Sequence, residues 1–181
     1  MSTDEAPAER TVDPVTQSSE YRRMLLALLG GDDPAEVAAA TPAAIRSLVG
    51  EAGQNLRTRP APTEWSVLEC LGHLTDGELV VAGRLRWILA QDQPPILPYD
   101  QDDWVTALRH GQDDPEELIA LFEAVRKANL ALWGRTSEED RARVGMHAER
   151  GPESFELTFR LMAGHDRFHL DQARRTLDAV G

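Results

Sequence analysis

Three histidines, with the residues around them, are the groups in this sequence best suited to chemistry. His165 and His169, in Gly164-His-Asp-Arg-Phe-His-Leu170, are four residues apart. On an α-helix that spacing stacks two imidazoles on one face, one turn above the other. His73 lies far upstream, in Leu71-Gly-His-Leu-Thr-Asp76. A facing helix can add its imidazole to the pair, giving a three-nitrogen set that leaves positions on a divalent ion open for water or substrate. Burying three imidazoles without partners is costly, and a shared cation satisfies one nitrogen of each. The other nitrogens need acceptors, for which Asp76, Glu78 and Gln172 are close in sequence. A His-x-x-x-His pair also arises by chance, so convergence of the third histidine is what separates a site from a coincidence.

The other reactive groups carry weaker readings. A zincin needs Glu directly after the first histidine as general base, and this chain has Asp166 there. His110 falls in a charged stretch and reads as solvated. His147 reads as a surface-loop residue, with a pocket rim as the alternative. Cys70, one turn before His73, reads as a small core residue. Glu78 interrupts an apolar seam, so it calls either for a structural ion pair with arginine or for a role behind the metal ligands; Asn129 raises the same question. A glycine-rich phosphate loop, a nucleophile elbow and a Cys-x-x-Cys pair are missing, which leaves nucleotide-dependent, serine-hydrolase and dithiol-redox chemistry unsupported.

The elements that must position these groups read as helices. Residues 1–12 look like a flexible tail and residues 13–181 like one domain. Asp13-Pro14 reads as a cap with proline in the first turn, opening a helix with Met24, Leu25, Leu28 and Leu29 that Gly30-Gly31 stops. Asp33-Pro34 and Thr41-Pro42 repeat the signature, predicting a short helical turn and then a second helix carrying Ile45, Leu48, Val49 and Leu56. From Ser66 to about Gln91, a seam of Val67, Leu71, Leu74, Glu78, Val81, Leu85 and Ile88 predicts the strongest helix. A second row, Cys70, His73, Gly77, Val80, Arg84 and Trp87, runs beside it. Residues 92–104 read as a long connection. Asp114-Pro115 opens a helix with Leu118, Leu121, Phe122, Val125, Leu132 and Trp133 on its buried side. A polar loop from Arg135 to Pro152 precedes a last helix from about Glu153 to Leu177, whose row Phe155, Thr158, Met162, His165, His169 and Gln172 carries the pair. No run reads as strand. The expected class is all-α: a four-helix bundle with crossover connections and a short extra N-terminal helix.

Composition narrows the function further. The net charge of −12 disfavours binding to phosphate backbones. One cysteine excludes an internal disulfide and suits a reducing compartment. No leader-like or membrane-spanning run is legible, so a cytoplasmic location is expected, with no nucleic-acid or membrane partner; the apolar rows leave room for a homodimer.

In combination, Arg59-Pro-Ala-Pro-Thr-Glu-Trp-Ser-Val-Leu-Glu-Cys-Leu-Gly-His-Leu-Thr-Asp-Gly-Glu78, Pro94-Pro95, Tyr99-Asp-Gln-Asp-Asp-Trp104 and Gly164-His-Asp-Arg-Phe-His-Leu-Asp-Gln172 resemble the DinB-like superfamily, in its DinB_2 or YfiT-like branch. The resemblance covers about Tyr21 to Ala179. It implies up-down-down-up connectivity and a divalent metal, often zinc or nickel, on His73, His165 and His169. Relatives of this kind include thiol-dependent transferases and isomerases, and others described as metal-dependent hydrolases. Gly77 departs from the pattern, since relatives often carry alanine there; glycine loosens a helix by about 1 kcal/mol. The expected function is a metal-dependent enzyme activating a low-molecular-weight thiol or water against a small electrophile, in the manner of a thiol S-transferase. A metal-dependent hydrolase, or a non-enzymatic metal- or ligand-binding bundle, is the alternative. Tyr99, Trp104 and His147 are the candidate pocket residues.

Overall fold

Helix ends follow the caps written in the sequence. In the computed structural model, which describes residues 17–181, α1 (Ser18–Leu29) stops at Gly30, where φ is 60°. The tail and the Asp13-Pro14 cap lie outside the described residues. Asp33 caps α2 (Pro34–Ala52) and Asp114 caps α5 (Pro115–Trp133), each carboxylate accepting two backbone N–H groups. Ser66 and Glu69 close a reciprocal capping box at the start of α3 (Val67–Ala90). Ser154 accepts from the Leu157 N–H at the start of α7 (Phe155–Val180).

One expected boundary is absent. Thr41-Pro42 does not open a new helix; α2 runs through it. Pro42 has no N–H to give the Ala38 carbonyl, but Arg126 of α5 donates to that carbonyl at 2.9 Å. The Thr41 hydroxyl donates to Asp166 of α7 at 2.7 Å. Tertiary donors and acceptors thus compensate for the interruption.

Pairs between helices fix their directions. Thr41 meets Asp166 and Glu51 meets Arg174, so α2 and α7 are parallel. Ala38 meets Arg126 whereas Arg46 meets Glu123 and Glu116, so α5 is antiparallel to α2. Glu78 meets Arg126 and Arg86 meets Asn129, so α3 and α5 are parallel. The Trp65 carbonyl just before α3 meets Thr176, while Leu85 and Ile88 pack with Phe155 and Phe159, so α3 opposes α7. The four long helices therefore run up-down-down-up, with α1 packed on α7.

Two consecutive parallel helices need a connection that returns along the whole bundle. Residues 91–114 provide it, and they are more ordered than a plain connection: strand β1 (Pro95–Ile96), helix α4 (Gln101–Leu108) and a 3₁₀ turn at His110–Gln112. The stretch before α7 likewise holds a short α6 (Glu138–Ala142) and a hairpin of β2 (Val144–His147) and β3 (Gly151–Ser154). β2 pairs parallel with β1 and antiparallel with β3. This three-stranded patch corrects the expectation of no strands. Strands of two to four residues are too short to set up a readable alternation. The buried stripe of α5 also differs, being Ile119, Phe122, Arg126, Asn129 and Leu132, with Leu121 exposed; the helix turns two polar side chains inward to meet Glu78. Among the described residues no helix is long and apolar enough to cross a membrane.

Candidate metal centre

The α3 and α7 rows carry His73, His165 and His169 to one point inside the bundle. One ring nitrogen from each lies within 4.8 Å of the others. His73 Nε2 and His165 Nε2 are 2.9 Å apart, a contact in which at least one nitrogen must present a lone pair. His169 Nδ1 faces the Gln172 side-chain oxygen at 2.7 Å, so Nδ1 donates and Nε2 keeps its lone pair. That Nε2 and the His73 Nδ1 are buried without hydrogen-bond partners. Trp65 walls the cluster, its ring stacked with His169 at 5.9 Å and tilted against His73 at 5.0 Å.

The surroundings keep all three imidazoles neutral. Burial, together with the nearby Arg126 and Arg84, pushes His165 down to about 4. Burial followed by the neighbouring imidazoles holds His73 and His169 well below the usual histidine range. Neutral, buried nitrogens with unspent lone pairs, one oriented from behind by an amide oxygen, suit a divalent ion of intermediate softness.

Of the three acceptors expected to support the histidines, Gln172 alone touches one. Asp76 instead accepts from His110 Nε2 at 2.7 Å, and His110 Nδ1 meets Asp113 at 2.6 Å. His110 is therefore buried, not solvated. Burial opposes its charge, but Asp113 and Asp76 outweigh that and raise its pKa. Glu78 is drawn to α5, bonding Arg126 Nη2 and Asn129 Nδ2 at 2.7 Å each. The same guanidinium binds Asp166 through Nη1 at 2.5 Å and Nη2 at 3.0 Å. Asp166, directly after His165, is thus drawn toward α2 and α5. A buried cation flanked by two carboxylates and a carbonyl is the stable way to place Glu78 in this seam.

A cavity of about 250 Å³ opens from His73 and His165. Tyr99 and His147 line it; Trp104 does not, packing instead on the Tyr99 ring at 4.5 Å. His147 is buried on β2 rather than carried on a surface loop. Arg84 and Tyr21 also line the cavity. A family model described as DinB superfamily, DinB_2, matches residues 22–173.

The chain belongs to the DinB superfamily. Among its relatives, two proteins of Oceanobacillus iheyensis, each named "putative metal-dependent hydrolase", are 30% and 25% identical to it over 107 residues. Both matches span 59% of this chain and 61% of the relative. A protein of the same name from Geobacillus thermodenitrificans is 26% identical over 57% of this chain and 58% of its own length. The chain thus spans about three fifths of each of these curated relatives. YfiT from Bacillus subtilis, described as "a probable metal-dependent hydrolase with an unusual four-helix bundle topology", superposes with a TM-score of 0.72 at 18% identity, covering 100% of this chain and 94% of that one.

Within this DinB fold, sequence reasoning missed Arg126, Arg84 and Tyr21 as residues around the site. Arg84 sits on the same α3 row as His73, a signal that was available. Arg126 was marked only indirectly, by the carboxylate of Glu78 requiring a cation.

Proposed function

We propose that this DinB-family chain is a metal-dependent hydrolase acting on a small molecule held in the cavity above His73, His165 and His169. The observation that carries the reading is the convergence of three imidazoles held neutral by burial, with the His169 Nε2 lone pair unspent, beside a cavity that His73 and His165 line. The names of the relatives support hydrolysis over thiol transfer. A divalent ion such as zinc or nickel on the three histidines supplies Lewis-acid activation of a nucleophile near neutral pH. Gln172 orients His169 for that task. Tyr99 stands beside His165, both rings facing Gly77. Burial pushes its hydroxyl up to about 12, so it stays protonated and serves as a donor to negative charge developing on the substrate.

The test is hydrolysis of chromogenic esters and amides by chelated protein before and after addition of zinc or nickel, beside His165→Ala. Turnover that requires the metal and disappears in the variant is expected. Conjugation of a low-molecular-weight thiol to an electrophile, without hydrolysis, would move the assignment to a thiol transferase. Metal bound with neither reaction would leave a binding protein.

A further inference from the structure

Besides the histidine cluster, the cavity wall carries two buried polar atoms without a partner among the described residues and an arginine without an ion pair. His147 Nδ1 accepts the N–H groups of Glu149 and Arg150 at 3.2 and 3.3 Å. A ring nitrogen accepting two backbone donors carries no proton, so Nε2 of the neutral ring must carry it. That Nε2–H is buried and has no partner among the described residues. The Tyr21 hydroxyl is in the same condition. Arg84 gives one N–H to the Leu97 carbonyl at 2.7 Å and makes no ion pair among the described residues. Burial disfavours its charge. All three side chains line one cavity.

Buried donors left unmatched are costly, and native proteins seldom retain several together without a ligand. Two of the acids that line the cavity are already engaged. Glu153 is taken by Arg150 at 2.8 Å and by Thr158, and Asp100 caps α4. One unpaired guanidinium, one neutral N–H and one hydroxyl match a singly charged, planar acceptor better than a dianion, which these carboxylates would repel. We infer that Arg84, Tyr21 and His147 form a carboxylate-recognition end of the cavity, so that the substrate is a small molecule with an apolar body, a carboxylate at this end and its reactive bond toward His73 and His165. The second half of that statement rests on the hydrolase reading; the carboxylate site itself does not.

The test uses the full chain after metal removal by chelation, because carboxylates also ligate metals. Dissociation constants are measured by ligand-observed NMR for hexanoate, hexanamide and hexyl phosphate. Hexanoate is expected to bind about tenfold tighter than hexanamide and no more weakly than hexyl phosphate. Arg84→Met should erase the preference, Arg84→Lys should retain part of it, and Tyr21→Phe should weaken hexanoate several-fold with an unchanged circular dichroism spectrum. Equal binding of acid and amide, a preference that survives Arg84→Met, tighter binding of the phosphate, or no binding of any probe would overturn the inference. Metal uptake by the histidines is untouched by each of these results, so failure here and failure of the hydrolase reading are separately visible.

Discussion

Gln172 accepts the Nδ1 proton of His169 and thereby points the other nitrogen into the cluster. Losing such an orienting acceptor typically weakens metal affinity about 10- to 100-fold. Gln172→Leu is therefore expected to raise the zinc dissociation constant by that amount while leaving the thermal midpoint of the metal-free protein nearly unchanged; equal affinity in competition with a chromophoric chelator would contradict it. At this scale the sequence was informative where spacing sets geometry, because a four-residue step on one helix leaves two rings little freedom. It was misleading where a side chain chooses between partners on different helices. Asp76 and Glu78 sit within a turn and a half of His73, yet each turns to a donor that the sequence places far away, His110 and Arg126.

Helix against helix, two close approaches make the site possible. A methyl group on Gly164 would fall 2.2 Å from the Leu25 carbonyl oxygen of α1, a backbone atom that cannot step aside. Gly164→Ala should force α1 and α7 apart and cost about 1–3 kcal/mol, measured by urea unfolding; an unchanged midpoint would contradict the packing. The buried Arg126 is the second tie, joining α2, α3, α5 and α7 through Ala38, Glu78 and Asp166. Arg126→Met strands two carboxylates in the core, and breaking such a network by removing one partner costs about 3–5 kcal/mol. A companion Glu78→Gln change should recover part of the loss, which separates unpaired charge from lost packing. Helix existence and most helix starts were legible because caps and apolar rows are local signals. The continuity of α2 through Pro42, the inward face of α5 and the three short strands were not, because each is settled by a partner distant in the chain.

The whole molecule should respond to acid in a direction its histidines dictate. In the folded state His165 and His147 are pushed down to about 4, chiefly by burial, and His73 and His169 lie well below the usual range. The unfolded chain takes up protons on these groups near pH 6.5 while the folded chain does not. Unfolding free energy therefore falls as the pH drops from about 6.5 toward 4, by up to about 1.4 kcal/mol per pH unit for each such group. His110 acts oppositely: its raised pKa stabilises the fold at low pH, and that contribution fades as pH rises through the folded value. With four histidines against one, the thermal midpoint of metal-free protein is expected to drop between pH 7 and 4.5, the raised carboxyls of Asp76 and Glu78 opposing only part of the fall, and a flat profile would contradict the buried, neutral cluster. The bundle's connectivity reached the sequence reading through family resemblance. Composition and periodicity alone gave a bundle with crossovers, since nothing local states that α3 and α5 run parallel.

Metal stoichiometry tests the central claim most directly. Untagged protein is exposed to zinc or nickel, freed of excess and analysed for metal beside His73→Ala, His165→Ala and His169→Ala, each checked for its helical spectrum. One ion per chain in the parent, lost from every folded variant, is the predicted result. A parent chain that retains no ion, or folded variants that retain it undiminished, would contradict the account.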